Sequence, residues 1–421
     1  MPADGSVAQA YRFFAKELQD ADAEMLRNVE SALKLRIDLV SISTEKNDNP
    51  YRIFESLNNT GARLTQGDLL RNYLFMLLPN LGNDAYKTIW LPMQERVGAD
   101  SLELLAYLDL VLRGYVGVSR GNTYKEQQLR LSTNAKTEAD VLENMKTLAR
   151  RSHYLRRIQE PESESNLELR IALRRLVNWG GETIYPLLML GFERLDGGSS
   201  TVQELIATFR ITESYLVRRM LTRRTSAGLN RLFTSIARDA KDSANLAEAV
   251  RDILAAPRRR WATDQSLLAA VADLDFYETG KHAQRKHVLQ QFEESYRHKE
   301  KIDWTGSTLS VEHVLPRTLT AEWIAQLAAD CGAEETVDQL HQKLVHKLGN
   351  ITLTAYNSEL SNQSFSEKKQ LLGDSKLLMN SSISQCATWG KTQIEERSRN
   401  LADLAVKIWP GPEADISVFF G

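Results

Sequence analysis

Cysteine is scarce in this chain of 421 residues, which has Cys331 and Cys386 and no other. Two cysteines cannot build the disulfide framework of a small secreted domain, and these two do not form the CxxC pair of a zinc site. The N-terminal segment also lacks a basic region followed by an apolar run, so no signal peptide is predicted. A reducing cytoplasm is the expected setting.

Long apolar runs and an excess of one charge are absent as well. No stretch of about 18 apolar residues is free of charges, so the sequence predicts no membrane span. The formal net charge of −2 argues against a general nucleic-acid coat, and any contact with nucleic acid has to come from local basic patches. The length exceeds what one hydrophobic core usually supports, which predicts two or more domains.

The hydrophobic pattern has a helical period over most of the chain. Thr65 is a predicted helix N-cap with Asp68 three residues on, and amphipathic periods continue to about residue 300. Two β-branched runs then follow. The predicted fold is mainly α, with a large helical N-terminal region and a small C-terminal α+β domain. The predicted domain ranges are 1–80, 81–265 and 266–421.

Candidate catalytic residues lie in the two β-branched runs, "VEHVLPRT" at 311–318 and "GNITLTAYN" at 349–357. Hydrolysis of a phosphodiester near neutral pH needs a base and a cation, and the imidazole of His313 titrates in the right range. Magnesium prefers oxygen donors, which Glu312 and Asn357 could supply. Asn350 could fix the orientation of the imidazole through its amide or its backbone.

Each of these residues also has an ordinary structural interpretation. A histidine before a strand-ending proline is usually structural or exposed. Asn350 after a glycine is typical of a turn, Asn357 of a helix cap, and Glu312 of a solvated surface. Spacing within the two runs leaves both interpretations open.

The ordered set of residues in this region resembles the C-terminal HNH domain of GmrSD-type restriction endonucleases. That family has a Glu-His-Ile-Leu-Pro-Gln strand, a later Trp, a Gly-Asn-Leu-Thr-Leu strand, and then Asn-Ser followed by Asn, Phe and Lys-Lys. Arg317 stands where glutamine is common. A more distant resemblance is to the HNH domains of CRISPR effector nucleases. The matching residues are Glu312, His313, Pro316, Trp323, Gly349, Asn350, Leu353, Asn357, Ser358, Asn362, Phe365, Lys368 and Lys369.

The resemblance implies a zinc-free ββα-metal (HNH) core and a function in antiphage restriction, acting on modified or foreign DNA. His313 would be the general base, and Asn350 the middle member of the motif. Asn357 would fill the last position and bind Mg²⁺ or Mn²⁺ together with Glu312. Lys368 could contact a phosphate, although an exposed helical lysine is more often simply solvated.

Two further segments, 53–75 and 213–233, resemble the GmrS-like, ParB-related nucleotide-handling domain of the same family. The matched positions in the first are Asn58, Gly61 and Asp68, which a helix–turn–helix hairpin would also explain. The earlier Asp-Gly-Gln-Gln-Arg segment of the family is absent. Residues 1–80 are therefore interpreted as a remnant whose nucleotide-sensing segment is missing, and this chain alone is not expected to bind a nucleotide.

Arginine pairs along one predicted helix are the candidate DNA contacts. Arg218, Arg219, Arg223 and Arg224 could track phosphates or pair with nearby acids. Similar clusters stand at 150–157 and 258–260. His341 and His346 lie five apart, which does not stack two ligands on one helical face, and they are interpreted as incidental.

The sequence thus favours a metal-dependent DNA endonuclease with His313 as base. One alternative is a non-catalytic DNA-binding or sensor module with a structural HNH fold. Another is a helical dimerisation scaffold, and a homodimer stays open in either case.

Overall fold

The computed structural model describes residues 6–38, 64–296, 302, 304, 309–356 and 360–420. The chain divides into two compact units, Met1–Leu57 and Asn58–Gly421. The described residues are mainly helical, as the sequence predicts, and they contain one sheet of two strands.

The first unit contains helices α1 (Ser6–Glu17) and α2 (Ala23–Leu35). The carboxylate of Asp22 begins α2 by accepting a hydrogen bond from the backbone N–H of Met25 at 2.7 Å. Large apolar side chains on both helices are exposed.

The second unit begins with a long helical region. The predicted N-cap at Thr65 is confirmed: its hydroxyl accepts from the N–H of Asp68 at 3.1 Å, in a capping box. A π-helical turn, Tyr86–Trp90, joins the second and third helices of the region. The helices are α3 (Gln66–Met76), α4 (Gly82–Ala85), α5 (Leu91–Val97), α6 (Leu102–Leu112), α7 (Thr123–Asn134), α8 (Glu138–Gln159), α9 (Leu167–Trp179), α10 (Tyr185–Asp196), α11 (Val202–Leu221), α12 (Leu229–Asp239), α13 (Leu246–Ala255), α14 (Asp264–Ala272) and α15 (His282–Ser295).

The remaining elements surround the two strands. The predicted β-branched runs form β1 (Ser310–His313) and β2 (Ile351–Thr354), which pair antiparallel with Val311 opposite Leu353 and His313 opposite Ile351. The other elements of this part are helices α16 (Ala321–Ala328), α17 (Val337–Leu344), α18 (Phe365–Gly373), α19 (Leu378–Ser384) and α20 (Lys391–Ile408).

The pair of strands β1 and β2, called the hairpin below although α16 and α17 lie between them in the chain, lies between two apolar cores. Val311, Ile351 and Leu353 belong to the large core that the helical region forms. Val314 and Leu315, directly after β1, belong to a smaller core that includes tryptophans of α16 and of the segment before α20. Burial on both sides fixes the register of the hairpin, since a slip of one residue would move every side chain to the other face. Among the described residues, no helix is long and apolar enough to cross a membrane.

Candidate functional site

Glu312 and His313 are neighbours at the end of β1, and strand alternation directs their side chains to opposite faces of the hairpin. His313 shares a face with Ile351, opposite it on β2, and Glu312 shares the other face with Thr352. Both candidate residues are buried, at 5% and 8% exposure. Each therefore meets a different set of partners.

Glu312 faces α18 and pairs with Lys368. The ammonium Nζ of Lys368 donates to Glu312 Oε1 at 3.2 Å and to the carbonyl oxygen of His313 at 2.8 Å. Burial raises the pKa of Glu312, although the lysine opposes that shift. Burial likewise lowers the pKa of Lys368. Each partner of this ion pair is thus shifted toward its neutral form.

His313 lies within a cluster of three rings. Its Nε2 is 3.2 Å from Nδ1 of His346, and its ring centroid is 4.3 Å from that of Tyr277. Burial, aided by the nearby His346, Arg317 and Lys368, lowers the pKa of His313 to about 3. The imidazole is therefore neutral at neutral pH, the form from which a general base acts, although a lowered pKa also makes it a weaker base.

Asn350 connects the end of β1 to the start of β2 through its amide group. Its Oδ1 accepts from the backbone N–H of Leu315 at 2.7 Å and from the indole of Trp389 at 3.0 Å. Its Nδ2 donates to the carbonyls of Leu315 and Val345. The amide is thus fully used away from the imidazole, and Asn350 acts on the position of His313 through the backbone.

Position 349, directly before Asn350, requires glycine for a steric reason. A Cβ at this position would overlap the carbonyl oxygen of Ile394 on α20. Arg397 on the same helix donates to the carbonyls of Gly349 and Ile351 at 2.7 and 2.9 Å. The start of β2 is therefore held tightly against α20.

The predicted last member of the motif, Asn357, lies outside the described residues. Within them, no group of three or more His, Cys, Asp or Glu side chains is arranged to hold a metal ion. Glu312 is the predicted metal ligand that the structure describes. Its Oε2 has no side-chain partner among the described residues, whereas Oε1 binds Lys368.

The structure gives two of the predicted DNA contacts internal roles. Lys368 has no exposed surface and binds the hairpin, as described above. The guanidinium of Arg218 is also fully buried, where it donates to the carbonyls of Trp409 and Ala262 and pairs with Asp264. Neither cation presents surface to a phosphate, so both contribute to packing in this structure.

The three other predicted DNA contacts, Arg219, Arg223 and Arg224, line one open cleft of about 870 Å³. Arg223 is half-exposed and pairs with Asp275 at 2.8 Å. Glu278 also lines this cleft, and its Oε1 is 3.6 Å from His346 Nε2. The basic cleft is therefore connected to the ring cluster around His313.

Of the three positions that resemble the nucleotide-handling domain, the structure describes Asp68. Asn58 and Gly61 lie outside the described residues. Asp68 is the third residue of the capping box of α3, where its carboxylate accepts from the hydroxyl of Thr65 at 2.8 Å. Asp68 therefore has the structural role that the helix–turn–helix interpretation assigns to it.

His346 and Tyr277 are members of the site that sequence reasoning missed. His346 follows α17 in a turn, so the test for two ligands on one helical face did not apply to it. His341, by contrast, lies 2.8 Å from the carbonyl oxygen of Pro316 through its Nε2 and does not contact His313 in the described structure. The position of His346 four residues before Asn350 is a signal that could have found it, whereas Tyr277 has no local signal.

Comparison with known proteins supports the resemblance carried by these residues. No curated protein matches the chain. Residues 261–404, however, match the family model described as GmrSD restriction endonucleases, C-terminal domain. The matched range includes the hairpin, Lys368, and the segment of Tyr277 and Glu278 that covers His313. Residues 261–404 therefore form a C-terminal domain of the GmrSD restriction endonuclease family.

Proposed function

We propose that this chain is a metal-dependent HNH endonuclease that hydrolyses a phosphodiester of DNA, with His313 as the general base. The observation that carries the proposal is the buried, neutral imidazole next to a buried carboxylate at the end of one strand. Shifted pKa values of this kind cluster at functional sites. The family match supports a restriction role, and we assign the chain to antiphage defence against modified or foreign DNA.

The donor set of the hairpin fits a hard divalent cation such as Mg²⁺ or Mn²⁺. Glu312 offers Oε2, and the proposed second ligand is the amide oxygen of Asn357. Two protein oxygens are sufficient because Mg²⁺ usually keeps several waters. The cation would offset negative charge on the phosphate and the leaving oxygen. A buried carboxylate whose pKa is raised also gains from a second positive charge.

His313 has one ring nitrogen available for a proton. Nε2 is engaged with His346, which leaves Nδ1 to accept a proton from the attacking water. Because Glu312 and His313 project from opposite faces, the phosphate has to approach over the end of β1, next to both side chains. Asn350 contributes by fixing the backbone at that end.

The cleft of Arg219, Arg223 and Arg224 is the proposed path of the DNA backbone. Its guanidinium groups supply the local positive charge that the net charge of the chain lacks. The cleft extends to Glu278, and from there to the ring cluster. A strand bound along it would reach the end of β1.

Plasmid nicking with Mg²⁺ or Mn²⁺, with and without EDTA, tests this function. Wild type is expected to nick DNA only with metal, and H313A to lose about 10²–10⁴-fold in rate. H282A is the matched control, since His282 is exposed at the start of α15 and should leave the rate unchanged. Equal rates for wild type and H313A would remove His313 as the base.

A non-catalytic DNA-binding module is the second candidate, and a specific observation favours it. His313 is only 5% exposed and Glu312 already has a cation in Lys368, as expected of a closed structural core. DNA binding that survives H313A, with no cleavage under Mg²⁺ or Mn²⁺, would establish this alternative.

A further inference from the structure

We propose that His346 is a positioning residue: held by Tyr277 and polarised by Glu278, it orients the imidazole of His313 so that Nδ1 faces the substrate. The proposal rests on the proposed function of His313 as base. It assigns a role to a residue that the HNH motif does not include.

Three contacts carry the proposal. Nδ1 of His346 is 3.2 Å from Nε2 of His313, within hydrogen-bond distance. The other ring nitrogen of His346, Nε2, is 3.6 Å from Glu278 Oε1. Glu278, His346 and His313 therefore form a row, in which His346 directs one ring nitrogen toward each of the other two.

The carboxylate of Glu278 influences which ring nitrogens of His346 and His313 carry protons. A neutral histidine carries its proton on one ring nitrogen and accepts on the other. The negative charge of Glu278, 3.6 Å from Nε2, favours the proton of His346 on that nitrogen. Nδ1 of His346 then accepts from Nε2–H of His313, and the lone pair of His313 lies on Nδ1. Water activation requires that lone pair.

The surrounding segment holds His346 in place. The ring of Tyr277 stacks on His346 at 5.6 Å with an interplanar angle of 15°, and its backbone N–H donates to the carbonyl of His346 at 3.2 Å. The guanidinium of Arg285 lies over the ring of Tyr277, with its Cζ 5.1 Å from the ring centroid. His346 is thus fixed both through its backbone and through its ring, so its Nδ1 presents a fixed direction to His313.

Two substitutions at position 346 separate hydrogen bonding from packing. H346F keeps an aromatic ring against Tyr277 but has no acceptor for His313. H346N loses the ring but places an amide oxygen near the former position of Nδ1. If the hydrogen bond matters, H346N is active and H346F is not; if only packing matters, the order reverses.

Cleavage kinetics on the full chain are the first readout. We expect H346F to lose about 10–100-fold in kcat with little change in KM, and H346N to keep most of the wild-type kcat. E278Q should lose less than H346F, because Glu278 is 66% exposed and solvent screens its charge. Wild-type kcat in H346F, or a lower kcat in H346N than in H346F, would overturn the proposal.

Nitrogen-15 spectra of histidine-labelled, metal-free protein are the second readout, and they do not depend on cleavage. The signals of His313 are assigned by their loss in H313A. Wild type and H346N should show His313 with its proton on Nε2, and H346F a mixture of both tautomers. The same single tautomer in all three proteins would overturn the proposal. If the wild-type protein never cleaves DNA, the proposed function is refuted. The spectra then test only whether His346 and His313 form the hydrogen bond.

Discussion

The helical region and the hairpin both bury carboxylates, but the pKa values of those carboxylates shift in opposite directions. In the helical region, burial alone would raise the pKa of Asp109 and Glu213. Arg151 with Arg113 and Arg130 around Asp109, and Arg175 with His287 around Glu213, more than compensate, and both pKa values are lowered. On the hairpin, Lys368 does not compensate for burial, and the pKa of Glu312 is raised.

The difference follows from the number and kind of partners. Glu213 binds the guanidinium of Arg175 through both oxygens, and its Oε1 also meets His287 and the indole of Trp409. Glu312 has one lysine at 3.2 Å, which divides its hydrogen bonds between the carboxylate and a carbonyl, and one hydrogen bond from the backbone of His313. A bidentate arginine with further donors stabilises a buried charge better than a single ammonium does.

The two regions therefore treat buried charge differently. In the helical region, arginines more than offset the burial of the carboxylates and connect helices that are distant in sequence. On the hairpin, the carboxylate, the ammonium and the imidazole are all shifted toward neutral forms. Shifts of this kind are common at functional sites, and the proposed function assigns a cation to this carboxylate.

Removing the charge at Glu213 should produce the largest loss of stability. E213Q breaks the buried pair with Arg175, and we expect the free energy of unfolding at pH 7 to fall by about 3–5 kcal/mol. Chemical denaturation followed by circular dichroism measures it. A loss below about 1 kcal/mol would contradict the contrast between the two regions.

The same group predicts a loss of stability in acid. The pKa of Glu213 is lowered from 4.5 to about 2 in the folded protein, so the unfolded state takes up its proton first as the pH falls. The stabilisation is complete above about pH 4.5 and is lost between there and pH 2. Unfolding curves between pH 6 and pH 2 should therefore converge for wild type and E213Q. Parallel curves would show that the ion pair does not form.

Removing the charge at Lys368 should cost less. K368M leaves the length of the side chain but takes the partner of Glu312, and we expect a loss of about 1–3 kcal/mol. Addition of Mn²⁺ should raise the melting temperature of K368M more than that of wild type, because the repulsive ammonium is gone. The double variant E312Q/K368M should be more stable than K368M alone and should not respond to Mn²⁺. An identical response to Mn²⁺ in wild type and double variant would contradict a metal at Glu312.

The cleft predicts a smaller effect, on binding rather than on stability. R223Q removes one half-exposed charge, and the slope of log K against log salt for duplex DNA should fall by about 1. R399Q on α20 is the matched control, since Arg399 is exposed outside the cleft. Fluorescence anisotropy at several salt concentrations measures both. Equal slopes for R223Q and R399Q would remove Arg223 from the DNA path.

The smallest effect is expected at an exposed ion pair. Arg120 and Glu182 pair with nearly half of each side chain exposed. E182Q should change the free energy of unfolding by less than about 1 kcal/mol. A loss as large as that of E213Q would mean that burial does not separate the two kinds of pair.

The sequence predicted the local features of the fold. The β-branched runs predicted both strands, and Thr65 with Asp68 predicted the start of α3, because these signals depend on neighbouring residues. The proline that ends the first run, Pro316, also predicted that His313 lies late in a strand. Each of these features is determined within a few residues.

Partners distant in sequence could not be predicted in this way. Lys368 is 56 residues from Glu312, and His346 is 33 residues from His313. The arginine pair at 218 and 219 shows a second limit. Adjacent helical residues point about 100° apart, so one guanidinium can be buried while its neighbour lines the cleft. Composition alone does not say which one is buried.

Anomalous scattering from a crystal of the protein soaked in Mn²⁺ is the most direct test of the central claim. We predict a peak within coordination distance of Glu312 Oε2, next to His313, that is absent in E312Q. A fully occupied peak elsewhere, with Glu312 still bound only to Lys368, would contradict it.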